Sequence, residues 1–187
     1  DIVYSQSIGF SYNGSIIGGA LVLEYTGSGL VTGSYSGSTI NPNDYYGTLK
    51  WIPSQDSPTI SSSIYLPFFN NEWWSIQMNT DGASLSSSLY VSSNISGKLA
   101  FTGSDSAHGF TPTTWDSSSR WTLNRSNLGN ISGKTYENPL GYFQELRFYS
   151  QEVSQSGFYH YVLNPYSIEG NGNNTSPDSL FFRTSLG

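Results

Sequence analysis

The sequence predicts an all-β domain, and two observations support this prediction. Aromatic residues are abundant, with 5 Trp, 14 Tyr and 10 Phe, whereas only 11% of residues are charged. Aromatic and β-branched residues fill pleated surfaces, and abundant Gly, Asn and Ser supply turns. Short apolar segments also recur along the chain, with turn residues between most of them, which favours an antiparallel sandwich or barrel.

The predicted strands are short and recur from one end of the chain to the other. They are residues 8–12, 20–25, 30–35, 46–52, 59–66, 73–78, 88–92, 98–103, 121–123, 142–149 and 180–183. In residues 152–163, apolar side chains recur at roughly helical spacing before Pro165, which would end a helix. We therefore expect at most one short helix, near 152–163. We also expect a single domain over residues 1–187, because this length suffices for one core.

Charge and cysteine content exclude several classes of function. The net charge is −6, with 7 Lys and Arg and no basic run, so neither nucleic acid nor an anionic membrane surface is an expected partner. No apolar run is long enough for membrane insertion. Cysteine is absent, which excludes disulfides and thiolate chemistry. The chain begins at Asp1 and its last residues have strand character, so we expect a piece of a longer protein.

Three segments, in order, follow a known family pattern. Residues 71–82 place a Trp at the start of a strand that ends in the hairpin signal Asp81-Gly82. Residues 120–125, RWTLNR, resemble the short strand that precedes the closing hairpin in that pattern. Residues 141–154, GYFQELRFYSQEVS, are the most specific segment, although Gln144 and Gln151 replace the family's Asp and Arg. Together they resemble a laminin-G-like domain of the concanavalin A-like lectin/glucanase superfamily.

This resemblance implies an antiparallel β-sandwich jelly roll. Alternation within the third segment would allow Phe143, Leu146 or Phe148 to point inward while Arg147 points outward. Residues 161–171 fall outside the common pattern and are similar to extensions in structural proteins of large marine viruses. The resemblance therefore implies a domain from an extracellular or viral structural protein.

Residues for catalysis are sparse, so we do not expect an enzyme. A glycoside hydrolase needs two carboxyl groups across the scissile bond, and the superfamily's alternating acidic string is absent. Glu145 is interpreted as an outer-face residue, or as a partner of Arg147 or a neighbour. His108 lies in a predicted loop and His160 in an aromatic run. Neither is accompanied by a nucleophile elbow, so both are interpreted as packed or solvated side chains.

No cofactor is expected, although calcium stays open as an alternative because some laminin-G domains hold one at the sandwich rim. Calcium needs several oxygen ligands from flexible loops. The aspartates in candidate loops are Asp44, Asp56, Asp81, Asp105 and Asp116. No spacing links them into a known calcium loop, so no ligand set is assigned.

Glycan binding through exposed aromatic rings is a more specific hypothesis than calcium binding. Trp and Tyr fill sandwich cores, but loop residues can instead present a ring to a sugar. Tyr45, Tyr46 and Trp115 are the predicted glycan platform. Adjacent Trp73 and Trp74 should point to opposite faces, which leaves one of them exposed or covered by a loop.

The expected function is that of a non-catalytic structural or attachment module on a virion surface or outside the cell. It would act through contacts with other protein subunits of a particle or appendage. A carbohydrate-binding adhesion domain that recognises cell-surface glycans is the alternative, and a glycoside hydrolase is the third class. Sequons, including the one at Asn94, permit glycosylation in such a setting.

Overall fold

The computed structural model describes residues 4–12, 19–25, 45–54, 56–111, 121–124, 141–167 and 179–185. The elements, in chain order, are β1 (Tyr4–Tyr12), β2 (Ala20–Tyr25), β3 (Gly47–Ile52), β4 (Ser62–Leu66), β5 (Trp74–Asp81), β6 (Ser86–Ile95), β7 (Lys98–His108), β8 (Trp121–Asn124), β9 (Glu145–Tyr149), α1 (Gln155–Leu163) and β10 (Leu180–Ser185). In these ranges the strands pair antiparallel in three sheets. The prediction of an all-β domain with one short helix is confirmed for this part of the chain.

The larger sheet has five strands in the order β4-β3-β2-β1-β8. Its burial alternates as expected for strands with one face in a core. In β3, Leu49 and Trp51 are buried, whereas Lys50 between them is half-buried. Lys50 Nζ lies 2.5 Å from Glu24 Oε2 on the neighbouring strand, so the opposite face of the sheet holds an ion pair. Glu24 is itself buried, and so are Ala20 and Val22 on that face.

The second sheet is a meander in the order β5-β6-β7, and its two hairpins use different turns. The hairpin predicted at Asp81-Gly82 is confirmed, but four residues separate the paired Asp81 and Ser86. Asp81 Oδ1 accepts the N–H of Ala83 at 2.9 Å. The next turn has two residues, Ser96 and Gly97, with φ of 55° and 76°. Positive φ at both positions is the type I′ geometry that matches strand twist.

The two larger sheets share one hydrophobic core. Leu21, Leu49, Trp51 and Ile64 of the five-stranded sheet form a buried cluster with Leu89 and Val91 of the three-stranded sheet. Gly103 of β7 sits where the sheets approach, because a Cβ there would lie 2.7 Å from Ile64 Cγ2. Asp105 Oδ2 accepts the edge N–H of Ser63 in β4 at 2.7 Å. This bond ties the edges of β4 and β7 together.

Helix α1 lies against the three-stranded sheet. Ser154 caps its first turn, because its hydroxyl accepts the N–H of Gly157 at 3.2 Å. The buried Phe158 ring lies 6.2 Å from the Tyr90 ring, and Asn94 Nδ2 donates to Val162 O at 3.0 Å. The short helix predicted near 152–163 is confirmed, with its start set by the Ser154 cap. No helix in the described ranges is long and apolar enough to span a bilayer.

Strands β9 and β10 form a separate two-stranded sheet, and its start corrects one prediction. The strand expected over 142–149 begins at Glu145, and Phe143 is exposed. Arg147 was expected to point outward, yet its side chain is largely buried. The reason is that Arg147 pairs with Glu145 and lies 5.0 Å from the centre of the Tyr161 ring.

Of two further predictions, one is wrong and the other concerns residues that the structure does not describe. The segment around Asp105 and His108 was predicted to be a loop, but it continues β7 as far as His108. Pairing with Ser86–Leu89 in β6 explains the longer strand, because polar side chains fit its solvent-facing positions. The predicted strand 30–35 lies outside the described residues.

Candidate functional site

Two of the three predicted platform residues lie at one end of the five-stranded sheet. Tyr45 is 58% exposed, in the turn before β3, and Tyr46 follows it. The Tyr46 ring lies 5.2 Å from the ring of Tyr65, which is 43% exposed on β4. Trp115, the third predicted residue, lies outside the described residues. The structure therefore joins Tyr46 to Tyr65, which sequence reasoning did not select.

The turn that holds these tyrosines is fixed by Phe69. Its N–H donates to Tyr45 O at 2.9 Å, and its ring meets Tyr25 edge-on at 5.3 Å. Gly47 leaves the space for this ring, since a Cβ there would lie 2.6 Å from Phe69 Cε2. Burial and, to a lesser degree, the phenols of Tyr46 and Tyr25 raise the pKa of Tyr65. Tyr65 therefore stays a neutral hydroxyl across the physiological range.

A second aromatic group adjoins the first. The Phe68 ring lies 4.6 Å from Trp74, and Trp74 lies 6.1 Å from Phe101. Phe101 is 42% exposed, and Trp73 is 57% exposed next to the half-buried Trp74. The expected difference between the two adjacent tryptophans is thus confirmed. Phe68 of this group directly precedes Phe69, which fixes the turn of the first group, so both groups lie at the same end of the sheets.

We call this surface the aromatic end. Its exposed rings are those of Tyr45, Tyr65, Trp73 and Phe101. Antiparallel topology places them at the same end of the sheets, because β3, β5 and β7 begin at this end and β4 finishes there. Of the four, Tyr45 was predicted from the sequence. Sequence position gives little hint of the others, because Tyr65 and Phe101 lie within predicted strands and Trp73 at the edge of one.

Phe101 occupies an unusual backbone conformation, with φ of +50°. The pairing of β6 with β7 shifts register between Val91 and Ser93, opposite this residue, so Phe101 lies at a bulge. A non-glycine residue in the left-handed region costs roughly 1–3 kcal/mol. The surrounding sheet holds the ring outward against that cost.

Asn70 fixes the corner that presents Trp73. Its Oδ1 accepts the N–H of Glu72 at 3.1 Å and the indole N–H of Trp74 at 3.3 Å. Its own N–H donates to Pro67 O at 3.2 Å. Asn71, Glu72 and Trp73 are all exposed on this corner. The side chains are therefore presented to solvent from a hydrogen-bonded backbone.

Asp81 and Asp105, two of the aspartates in the described ranges, have local structural roles. Asp81 accepts from the Ser84 hydroxyl at 2.5 Å and from the Ala83 N–H, and these bonds lower its pKa. Asp105 joins β7 to β4, and the N–H of Asp56 donates to Ser54 Oγ at 3.2 Å. In the part of the chain that the structure describes, no three His, Asp or Glu side chains form a metal-binding group. Asp44 and Asp116 lie outside that part.

Glu145 lies between two arginines. It accepts from Arg147 Nε, and Arg183 donates to it through Nε at 2.9 Å and Nη2 at 3.1 Å. Burial alone would raise the pKa of Glu145, but the hydrogen bonds from Arg183 and Arg147 outweigh it and lower the pKa. Arg147 also donates to Ser167 O at 2.9 Å and to Pro165 O. Glu145 therefore joins β9 and β10. Its pairing with Arg147 was predicted from the sequence, whereas its pairing with Arg183 was not.

Comparison with known proteins gives no further assignment. No protein-family model, no curated protein and no solved structure matches the chain significantly.

Proposed function

We propose that this chain is a non-catalytic structural or attachment module that binds other proteins through the aromatic end. The observation behind the proposal is the group of four exposed aromatic rings on a fixed backbone at one end of the two sheets. Tyr, Trp and Phe are enriched in protein interfaces, and charged residues are depleted from their centres. Exposed aromatic side chains gathered at one end of two sheets are suited to contact with another protein.

The jelly-roll sandwich of the laminin-G and concanavalin A-like kind belongs to the same proposal. Two antiparallel sheets that share a core and are joined at the β4 and β7 edges support it. A place on a virion surface or outside the cell, in a particle or appendage, is part of the proposal and rests on the resemblance.

The non-catalytic part of the proposal is supported by the state of Glu145. A glycosidase acid needs a carboxyl group with a raised pKa that can donate a proton. Glu145 instead has a lowered pKa and is occupied by Arg147 and Arg183, so it is suited to holding strands together.

Site-specific photo-crosslinking tests the protein-binding proposal in the particles or cells that carry the full chain. A crosslinker at Trp73 or Tyr65 should capture one defined protein, identified by mass spectrometry. Tyr142, which is almost fully exposed and is not one of the four rings that define the aromatic end, is the matched control and should not capture it. Equal capture from all three positions would show that the aromatic end is not the contact surface.

Glycan recognition is the second candidate, and the Asn70 corner favours it. An exposed indole ring beside a free amide and a carboxylate, from Trp73, Asn71 and Glu72, matches the mixed apolar and polar character of sugar sites. A glycan array should then show binding that Trp73→Ala abolishes and Tyr142→Ala leaves intact. An array without binding would leave protein contacts as the function.

A further inference from the structure

Tyr46 and Tyr65 form a contact pair between neighbouring strands. In the pairing of β3 with β4, Thr48 lies opposite Tyr65, and Tyr46 stands two residues before Thr48. The two tyrosines are therefore diagonal neighbours on one face of the sheet. Their ring centroids lie 5.2 Å apart, with the planes tilted by 38°, which is the separation of rings in contact. Leu49 and Ile64 take the opposite, buried face, so the pair lies on the outer side of the sheet.

The Tyr46–Tyr65 pair is open to solvent on the β4 side. Tyr65 is 43% exposed, and Tyr46 is half-buried beside it. Because Tyr65 stays a neutral hydroxyl at physiological pH, its oxidation has to release a proton together with the electron, and water at the exposed ring can receive that proton. The chain has 14 tyrosines and no cysteine, so a covalent link between its strands has to use side chains other than thiols.

A second tyrosine pair lacks this access. Tyr149 and Tyr161 stack with their centroids 5.9 Å apart, and the Arg147 guanidinium lies 5.0 Å from the Tyr161 ring centre. The hydroxyl oxygen of Tyr149 is buried. Burial, and then the interaction with Tyr161, raise the pKa of Tyr149 to about 12. Burial opposes loss of the phenol proton, and the nearby cation opposes loss of an electron from the ring. Exposure therefore distinguishes two pairs that are similarly close.

We propose that Tyr46 and Tyr65 are a site of oxidative cross-linking, at which the two rings join as dityrosine. The co-reactant is a one-electron oxidant of the kind that a haem peroxidase makes from hydrogen peroxide. Each phenol loses one electron and one proton, and the unpaired electron spreads to the ring carbons beside the oxygen. One such carbon of each ring joins in a C–C bond, and the hydrogen on each moves to the oxygen and restores the phenol. Hydrogen peroxide takes up both electrons and both protons and becomes two waters.

The cross-link fastens the entry to β3 onto the end of β4. It closes the hairpin between Tyr46 and Tyr65, and a bond that closes a loop restricts the unfolded chain, as a disulfide does. The expected gain is a melting temperature higher by about 5 °C or more. This site is independent of the proposed protein contact, because the two rings belong to one chain and react without a partner.

Peptide mapping of the 187-residue chain, after brief treatment with a haem peroxidase and hydrogen peroxide, tests the proposal. Trypsin cleaves after Lys50, which lies between the two tyrosines, so the cross-link joins peptide 1–50 to peptide 51–98. The joined species should weigh two hydrogens less than the two peptides together and show dityrosine fluorescence. It should come from the monomer band of a denaturing gel, with the same yield in dilute and concentrated solution, because the link lies within one chain.

Three matched variants identify the pair. Tyr46→Phe and Tyr65→Phe each keep the ring and remove the phenol, so each should abolish the link between the two peptides. Tyr45→Phe is the control, because it removes a neighbouring phenol that is 58% exposed, and it should leave the link intact. Circular dichroism before oxidation checks that each variant is folded. Oxidised wild type should melt about 5 °C or more above oxidised Tyr46→Phe.

The contrary results are equally specific. The proposal is overturned if no dityrosine forms, if it forms only between chains, or if the link survives Tyr46→Phe or Tyr65→Phe. Loss of the link in Tyr45→Phe overturns it as well. Coupling of Tyr149 to Tyr161, which both lie in peptide 148–183, in preference to the exposed pair would show that exposure does not select the site. Equal melting temperatures of oxidised wild type and oxidised Tyr46→Phe would overturn the stabilising role of the link.

Discussion

Replacing Glu145 by Gln would test whether one carboxylate fastens β9 to β10. The Glu145 side chain is 22% exposed, and the side chains of its partners Arg147 and Arg183 are 13% and 31% exposed. A charge-assisted hydrogen bond contributes about 1.5–3 kcal/mol when buried and much less when exposed. Arg147 keeps the carbonyls of Pro165 and Ser167 and the Tyr161 ring as partners. We therefore expect a loss of about 2 kcal/mol in the free energy of unfolding.

That loss corresponds to a fall in melting temperature of about 4–8 °C for a domain of this size. Thermal and urea unfolding, followed by circular dichroism, would measure it. Arg183→Gln is the matched control, because it removes the more exposed partner and should cost about 0.5–1 kcal/mol. In the double variant the two losses should not add, since both remove the same contact.

The effect of pH gives a second measurement with a defined sign. The folded-state pKa of Glu145 lies below its unfolded value. Its contribution to stability is therefore full above the unfolded pKa, near 4.3. It is lost as pH falls through the lower, folded pKa. The difference in the free energy of unfolding between wild type and Glu145→Gln should be constant near neutral pH. It should shrink as the solution becomes acidic. A difference in the free energy of unfolding below about 0.5 kcal/mol at neutral pH, or a difference that grows in acid, would refute the reasoning.

Three further predictions concern packing, a turn and a modification site. Leu89→Ala should lower the free energy of unfolding by about 3 kcal/mol in urea titrations, because Leu89 is fully buried in the core that the two sheets share; a loss under 1 kcal/mol would contradict that core. Gly97→Ala should cost about 1 kcal/mol from its φ of +76° alone, since nothing lies within 4 Å of the new methyl group. Gly141→Ala, equally open but without that φ, should be neutral, and equal losses in both would rule out the turn as the cause. Folded protein from secretory expression should carry no glycan at Asn94, because a glycan on Nδ2 would take the place of the bond to Val162 O and keep α1 from packing on β6; peptide mapping that finds this glycan on natively folded protein would contradict that contact.

Much of the fold could be predicted because strand signals are local. Predicted strands such as 20–25 and 46–52 correspond closely to β2 and β3, since alternation of apolar side chains depends on neighbouring residues. The helix near 152–163 was recognised from spacing, and only its first residue needed the Ser154 cap to be fixed. The exposed position of Phe143 was missed, because the same local pattern fits a strand that begins earlier.

The candidate site could be predicted only in part. Tyr45 and Tyr46 were recognised because they lie beside a turn signal, where exposed rings are expected. Tyr65 is separated from them by a complete hairpin, and its position beside Tyr46 depends on the pairing of β3 with β4. Phe101 was missed because a strand pattern does not reveal a bulge that turns a ring outward.

The sequence by itself therefore determined the all-β character of the described ranges, the place of the helix, and a composition low in charge and rich in aromatic residues. These properties follow from composition and from contacts between near neighbours. Only the tertiary structure decided that Tyr65, Trp73 and Phe101 lie at the same end of the sheets. It also decided that Glu145 lies between Arg147 and Arg183. Both arrangements depend on strand order and register, which are set by the burial of whole sheet faces and not by any one segment.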